Sequence, residues 1–282
     1  MATEAAPRGR KRQEATEPRP ERKPGPIRSF FTEAGDFVGF MAETLRDLPR
    51  TYQFFAEVLR QASILVRGST VYIAAMSAFI GFAITTVGYF FLRSAAASDY
   101  LGVFTGITTP RASAPIMFGY AFAAKVGCGM VAEIGAMRIN DEIDALEVEG
   151  VNPMAYVVGS RVLGALLFVP LAVAASLLAQ TAAVFVDATV VLQALPGSSL
   201  MRNHWGSQNF QDLIFALINM GATAMMMVIV ACYFGYRTKG GAAGVGASVA
   251  KSMVVNLVLI HVMSSFFVSL FYGPDPRLPI GG

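Results

Sequence analysis

The chain contains 282 residues, of which 54% are hydrophobic and only 15% are charged, and its formal net charge is +3. This composition and a mean hydropathy of +0.53 lie outside the usual range of soluble globular domains. They exclude a soluble globular protein and predict an all-α integral membrane protein. The two cysteines, Cys128 and Cys232, lie in apolar segments without the spacing of metal ligands, so we expect neither a disulfide nor a metal site.

Residues 1–29 form a basic segment that is rich in proline and almost free of large apolar residues. It contains eight lysines and arginines, four glutamates and five prolines, a composition typical of a disordered tail. Basic runs can bind nucleic acid, but beside membrane spans such a tail more often lies in the cytoplasm against anionic lipid headgroups. We expect no cleavable signal peptide, because the apolar segment that would have to follow is missing.

Residues 30–66 have a helical pattern but carry too many charges to cross a membrane. Apolar residues recur at three- and four-residue spacing from Phe30 to Leu48, and charged residues occupy the other side. The pattern predicts an amphipathic helix that ends near Pro49 and lies in the membrane interface. A second helical stretch, from Tyr52 to Val66, is expected to lead into the first span. A soluble helical hairpin packed on its own core is the alternative.

Five apolar segments follow, each close to the length of about 20 residues that a membrane span requires. They are Ser69–Leu92, a segment within 100–132, Val162–Val186, Leu213–Tyr236 and Met253–Tyr272. The distribution of basic residues at the span ends places the N-terminal tail and the loop between spans two and three in the cytoplasm. The predicted organisation is therefore a tail (1–29), an interfacial region (30–66), a membrane domain (67–273) and a short extracytoplasmic tail (274–282).

The loop between spans two and three is a dense acidic island in an otherwise charge-poor sequence. Six of the 19 acidic residues of the chain fall between Glu133 and Glu149. Asn140 is the predicted N-cap of a short helix that ends at Gly150, with acids at its positive end. The pattern predicts a helix that docks on a basic partner in the cytoplasm. A solvated loop that only joins two spans explains the spacing almost equally well.

The island also resembles a known family signature. The run AEIGAMRINDEIDALEVEGVNP, followed by Arg161, closely resembles that of the MlaE/YrbE permeases, the membrane subunits of MCE-type ABC lipid transporters. The AFIG segment at 78–81, the run GYRTKGGAAGVGASVAKSMV after span four and the five spans are similar as well. The basic, proline-rich extension is most similar to mycobacterial members, in which two different YrbE subunits share one complex, and the chain most resembles the B-type subunit.

The resemblance implies a transporter subunit of the bacterial plasma membrane that catalyses nothing itself. A separate cytoplasmic ABC ATPase dimer would bind ATP and Mg, MCE-domain proteins would form a lipid channel, and this chain would bind no cofactor, metal or nucleic acid. The acidic island would then be the element that couples the permease to the ATPase. The residues expected to contact the ATPase are Glu133, Arg138, Asp141, Glu142, Asp144, Glu147 and Gly150.

Departures from the family pattern imply a second, non-identical permease subunit. Arg111-Ala112-Ser113-Ala114-Pro115 stands where many members carry an acid in the second span, and Ser265 replaces an acid in the fifth. Charges inside a membrane are costly and usually paired, so a paralogous YrbE subunit is expected to retain them. Lys125 would face a carboxylate on that subunit, or would lie near the cytoplasmic boundary.

Other features carry weaker expectations. Met226 and Phe267 mark a candidate lipid path through spans four and five, although ordinary helix packing explains them equally well. The glycine-rich run at 240–246 is expected to be a flexible turn, His204 an interfacial anchor beside Trp205, and His261 a hydrogen-bond partner of a neighbouring helix. A permease for a small solute, a membrane scaffold without transport and an ion-driven transporter remain as alternatives. The lipid and the direction of transport stay open.

Overall fold

The computed structural model describes residues 26–273, and every regular element in that range is helical. The predicted all-α membrane fold is therefore confirmed. The chain divides into two compact units after Val38. Helix α1 (Pro26–Asp47) begins in the first unit, and everything else described lies in the second. The helix ends two residues before Pro49, as predicted, and a 3₁₀ turn at Leu48–Phe54 leads into α2.

Five helical segments of the described range are long and apolar enough to cross a membrane, which confirms the predicted number. The first ends with α2 (Phe55–Ser94). The second consists of α3 (Leu101–Thr108), α4 (Ala114–Phe122) and α5 (Cys128–Ile139), and it is followed by the short helix α6 (Glu142–Val148). The third contains α7 (Ser160–Val186), after which α8 (Gly197–Gly206) leads to the fourth, α9 (Phe210–Tyr236), and the fifth, α10 (Gly241–Tyr272).

The second and third spans are interrupted by π-helical turns. In the second span these turns cover Thr109–Ser113, which contains Pro110, and Ala123–Gly127. In the third span they precede and follow α7, at Met154–Gly159 and Asp187–Val191. A π turn inserts an extra residue and changes which side chains face each neighbour, and such turns are frequent at functional sites.

Helices α2 and α7 form the most extensive contact of the bundle through small residues. A Cβ atom at Gly81 would lie 2.7 Å from the carbonyl oxygen of Gln180, and one at Gly164 would lie 3.0 Å from Cβ of Gln61. The hydroxyls of Ser77 and Ser176 are hydrogen-bonded at 2.7 Å. Small residues allow close approach of helix backbones, which is the usual basis of helix packing in membranes.

The glycine-rich run is helical, so the predicted flexible turn is wrong. The chain turns at 237–240, where Gly240 has a φ of +91°, and α10 starts at Gly241, twelve residues before the predicted start of span five. A Cβ at Gly244 would lie 1.8 Å from the carbonyl oxygen of Lys239. Glycine at 244 therefore allows the helix to start directly against the turn.

The segment between spans three and four contains the helix α8, and His204 on it is not an interfacial anchor. His204 on α8 is 2% exposed, and its ring nitrogens lie 3.1 Å from the Thr105 hydroxyl and 3.0 Å from the Gln208 amide nitrogen. Helix α8 can approach α3 this closely because Gly106 has no side chain. Burial lowers the pKa of His204 to about 4. Trp205 remains the exposed member of the pair.

Candidate functional site

The acidic island folds into α6 after a sharp reversal of the chain. Asn140 does not cap α6 as predicted, because its amide N–H donates to the carbonyl oxygen of Ala136 and completes α5. Asp141 occupies the N-cap position with a φ of +58°. Aspartate tolerates this left-handed conformation better than most residues, so the helix starts one residue later than the sequence pattern indicated.

Helix α6 exposes its acids and buries a single large side chain. Ile143 is completely buried, whereas Val148 is 90% exposed at the other side of the helix. After the last turn, the amide of Val151 donates to the carbonyl oxygen of Leu146, and Gly150 has a φ of +78°. This arrangement is a glycine-terminated C-cap. Gly150 thus ends the helix, as predicted.

Three of the predicted contact residues form ion pairs inside the chain. Arg138 binds Asp144 at 2.5 Å and thereby connects α5 to α6. The 3%-exposed Arg161 binds Glu133 at 2.6 Å and the carbonyl oxygen of Val157 at 2.9 Å. These contacts connect α5 to the start of α7. The other predicted acids, Asp141, Glu142 and Glu147, are exposed and make no ion pair within residues 26–273.

A cleft of about 410 Å³ lies beside α6, and four of its nine lining residues lie outside the acidic run that the sequence indicated. Glu43 and Asp47 from the end of α1 line it together with Glu147 and Tyr236. Asp47 accepts a hydrogen bond of 3.2 Å from Asn152, a residue 105 positions later in the sequence. Asp47 also binds Arg50 at 2.9 Å. The end of α1 is therefore attached to the segment that follows α6.

The sequence also missed a buried charge cluster at the opposite end of the bundle. Arg111 binds Asp212 at 3.2 Å, and both side chains are less than 10% exposed. The hydroxyl of Tyr272 donates to Asp212 at 2.9 Å, and the Arg111 guanidinium lies 4.3 Å from the centre of the Tyr272 ring. The cluster connects spans two, four and five. The available signal was an arginine inside span two and an acid directly before span four.

The candidate lipid-path residues and Lys125 lie elsewhere in the bundle. Phe267 is half-buried and stacks on Phe271, which stacks on Phe215 at a ring distance of 4.2 Å. Met226 is also half-buried, about 17 Å from Phe215 along α9. Lys125 is exposed in the π turn at Ala123–Gly127. The hydrogen-bond prediction for His261 is confirmed, since its Nε2 lies 2.6 Å from the Tyr120 hydroxyl.

The fold and this site define a multi-pass helical membrane protein that presents an acidic helix between its second and third spans. Comparison with known families shows that the chain belongs to the MlaE permease family, whose model, described as "Permease MlaE", matches residues 58–270. The chain is therefore a membrane permease subunit. This result confirms the family that the acidic run and the glycine-rich run indicated.

Relatives of the chain carry the name of the same transporter class. A probable ABC transporter permease protein of Rickettsia conorii is 25% identical over 248 residues, which cover 86% of this chain and 93% of the relative. A similarly named protein of Synechocystis is 29% identical over 173 residues, or 61% of this chain and 65% of the relative. The likeness to the first relative spans nearly all of that protein.

Proposed function

We propose that this permease subunit belongs to an ATP-driven MCE-type lipid transport complex and couples a separate ABC ATPase dimer to lipid movement. The observation that carries the proposal is α6, a short acidic helix exposed at one end of the bundle and attached to span two by the Arg138–Asp144 ion pair, while the Arg161–Glu133 pair attaches span two to span three. The names of the relatives support the ATPase, which would bind ATP and Mg. The lipid and the MCE proteins rest on the family resemblance.

The contacts around α6 provide a route from the ATPase to the spans. Arg138–Asp144 connects α6 to span two, Arg161–Glu133 connects span two to span three, and Asp47–Asn152 connects the segment after α6 to the helix before span one. A force applied to α6 would therefore act on three spans together. The Arg161 side chain is buried whereas the Arg138–Asp144 pair is exposed, so these pairs are expected to fix geometry more than they stabilise the fold.

The proposed orientation places α6 and the N-terminus in the cytoplasm and the C-terminus outside, in the plasma membrane of a bacterium. The turn at 237–240, which carries Arg237 and Lys239, supports this orientation. Thr238 of that turn packs beside Gly135 near the end of α5, so these basic residues lie at the same end as α6. An excess of lysine and arginine is typical of cytoplasmic ends.

The second permease subunit is proposed to be a paralogue, with this chain as the mycobacterial YrbE B-type member. Lys125 makes no ion pair with any residue of the described range. Three acids within spans two to four already have partners: Glu133 binds Arg161, Asp187 binds Thr86 and Asp212 binds Arg111. The fourth, Asp99, lies at the far end of span two from α6. The three paired carboxylates of an identical copy would have to leave their partners to bind Lys125, which supports a non-identical subunit.

Reversing Asp144 and Glu147 to lysine should reduce the recovery of the ATPase with the tagged permease by roughly tenfold, because the new lysines would face a basic partner surface and like charges across an interface weaken association. Copurification from membranes, ATPase activity and lipid transport measure the effect. Asp99→Lys is the matched control, since Asp99 is an exposed acid at the other end of span two. Unchanged recovery and transport in the Asp144→Lys/Glu147→Lys variant would contradict the docking role of α6.

Asp144 also has a structural role, which a charge exchange can separate from docking. In the variant Arg138→Asp/Asp144→Arg, the pair between α5 and α6 is retained with its polarity inverted. If Asp144 contacts the ATPase, recovery of the ATPase should be reduced in this variant, as it is in Asp144→Lys/Glu147→Lys. If the internal pair alone matters, recovery should return to that of the unchanged protein.

Photocrosslinking residues placed at Met226 and at Phe267 should capture lipid during ATP turnover, because both positions are half-buried on spans four and five. Mass spectrometry of the adducts identifies the lipid. Val71, which is 79% exposed on α2, is the control for contact with bulk lipid, and its adducts should not depend on turnover. Absence of turnover-dependent adducts at both Met226 and Phe267 would contradict a lipid path there.

A further inference from the structure

One edge of α10 carries buried polar side chains. Asn256 is 1% exposed, and neither its amide nitrogen nor its amide oxygen has a hydrogen-bond partner among residues 26–273. The buried hydroxyls of Ser252 and Ser264, one turn before and two turns after Asn256, also have no partner in that range. Buried polar groups in proteins are nearly always hydrogen-bonded, and a membrane interior offers no bulk water in place of a partner. The Asn256 amide therefore requires a physical explanation.

The Asn256 amide lies against the second π turn of span two. A Cβ atom at Gly127, the last residue of the turn Ala123–Gly127, would lie 3.2 Å from Nδ2 of Asn256. In this turn the amide of Cys128 donates to the carbonyl oxygen of Ala123, five residues earlier, whereas in an α-helix it would donate to the residue four positions earlier. Asn256 thus lies beside a stretch of backbone whose hydrogen bonds have an alternative, α-helical arrangement.

The same π turn joins α4 to the part of span two that is attached to α6. Helix α5 begins at Cys128, directly after the turn, and the Arg138–Asp144 pair attaches its other end to α6. Each residue that a helix gains or loses corresponds to a rotation of about 100° and a translation of about 1.5 Å. A change in the hydrogen bonds of the π turn would therefore move α5 and α6 together relative to α4.

We infer that the π turn at Ala123–Gly127 is the joint at which span two changes its helical register during transport, and that the Asn256 amide binds backbone groups that the turn then releases. The inference rests on the proposed function, because that function supplies the force on α6. A carboxamide both donates and accepts hydrogen bonds, so one side chain can bind a released carbonyl and a released N–H. Side chains of neighbouring helices satisfy freed backbone groups in this way at other breaks in membrane helices.

Contacts of α10 on either side of Asn256 reach both sides of the joint. Ile260, one turn after Asn256, packs against Gly119 in α4, where a Cβ atom would lie 2.9 Å from Cγ1 of Ile260. On the other side, Cys128 Sγ at the start of α5 lies 3.8 Å from Met253 Sδ. A change of register at the joint moves α5 and leaves α4 in place. It therefore separates Cys128 from Met253 and retains the contact of Gly119 with Ile260.

Asn256→Leu tests the role of the amide, because leucine has a similar shape and forms no hydrogen bond. In the intact complex, the lipid transported per ATP hydrolysed should fall by about tenfold, since the hydrogen bonds of the second arrangement are lost. The thermal midpoint in detergent should stay the same or rise, because the variant removes a buried amide that has no partner among residues 26–273. A merely structural role would not produce this combination.

Ser264→Ala is the matched control, because it also removes a buried hydroxyl from the same edge of α10 but lies two turns from Asn256. Its transport per ATP should be unchanged. The probes are radiolabelled palmitate and a radiolabelled phospholipid, and the one that the unsubstituted complex moves in response to ATP is used for the variants. Unchanged transport per ATP in Asn256→Leu would overturn the inference and would leave the amide a static role, such as holding a buried water molecule.

A reversible crosslink tests the movement without a change at Asn256. In Met253→Cys, a short bis-thiosulfonate reagent should link the new thiol to Cys128, because the side chains at these positions are in contact. The link should stop lipid transport, and a reductant should restore it. The unsubstituted complex treated with the same reagent is the control. Unchanged transport after complete linking would overturn the joint.

The same samples separate the inference from the proposed function. If the linked complex and Asn256→Leu both move the probe in response to ATP as well as the unsubstituted complex does, the inference fails and the proposed function stands. If the unsubstituted complex recovers no ATPase or moves neither probe in response to ATP, the proposed function itself fails.

Discussion

Replacing Asp212 with alanine should lower the free energy of unfolding by about 3 to 5 kcal/mol, since removing one member of a buried ion pair leaves the other charge buried without its partner. Arg111 is 9% exposed, and Asp212 also accepts hydrogen bonds from the Tyr272 hydroxyl and from the amide of Asn209 at the start of α9. The variant therefore removes contacts among three spans at once. The thermal midpoint in detergent and the yield from membranes measure the loss.

Two further variants separate charge from packing in this cluster. Arg111→Met/Asp212→Leu removes both charges and should recover much of the lost stability, because apolar residues of similar volume often replace a buried ion pair without loss. Tyr272→Phe removes one hydrogen bond to the Asp212 carboxylate and should cost less than Asp212→Ala, about 1.5 to 3 kcal/mol. If Asp212→Ala lowers the free energy of unfolding no more than Tyr272→Phe does, the ion pair does not hold this end of the bundle together.

Gly81→Ala should destabilise the chain by about 1 to 3 kcal/mol, since overpacking at a close contact forces the backbones apart. The new Cβ would lie 2.7 Å from the carbonyl oxygen of Gln180 and 3.0 Å from Cβ of Ala183. Both atoms belong to a helix that cannot move as easily as a flexible side chain. The contact of α2 with α7 is expected to open locally, which thermal unfolding in detergent would detect.

Gly68→Ala is the matched control on the same helix. A Cβ atom at Gly68 would meet nothing within 4 Å, and alanine is the better helix former by up to about 1 kcal/mol. The control should therefore be neutral or slightly stabilising. Equal effects of the two substitutions would contradict the close packing of α2 on α7 at Gly81.

The sequence predicted the spans well because their signal is local. Hydropathy and the spacing of charges are properties of neighbouring residues, so the number of spans and the ends of α1 and α7 could be read without knowing what they pack against. The start of α10 was missed because four glycines between 240 and 246 indicate a turn. Only the tertiary structure shows that glycine at 244 is needed there, because a Cβ atom would meet the carbonyl oxygen of Lys239.

The candidate site was predicted in position but not in its internal contacts. Clustering of acids located α6, yet the sequence did not show that Arg138 and Asp144 bind each other or that Glu133 binds Arg161. Glu43 and Asp47 could not be assigned to the site at all, because Asn152 lies 105 residues from Asp47. An ion pair depends on the distance between side chains in space, which spacing along the chain specifies only within one helix.

By itself, the sequence determined that this protein is a helical membrane permease with an acidic segment between spans two and three. It could do so because the free energy of transfer from water to lipid depends on the composition and length of each segment by itself. The tertiary structure alone decided which charges are paired inside the chain, that His204 is buried and that Lys125 is exposed. These outcomes depend on which spans are neighbours, because burial and charge pairing are set by the groups that surround each side chain.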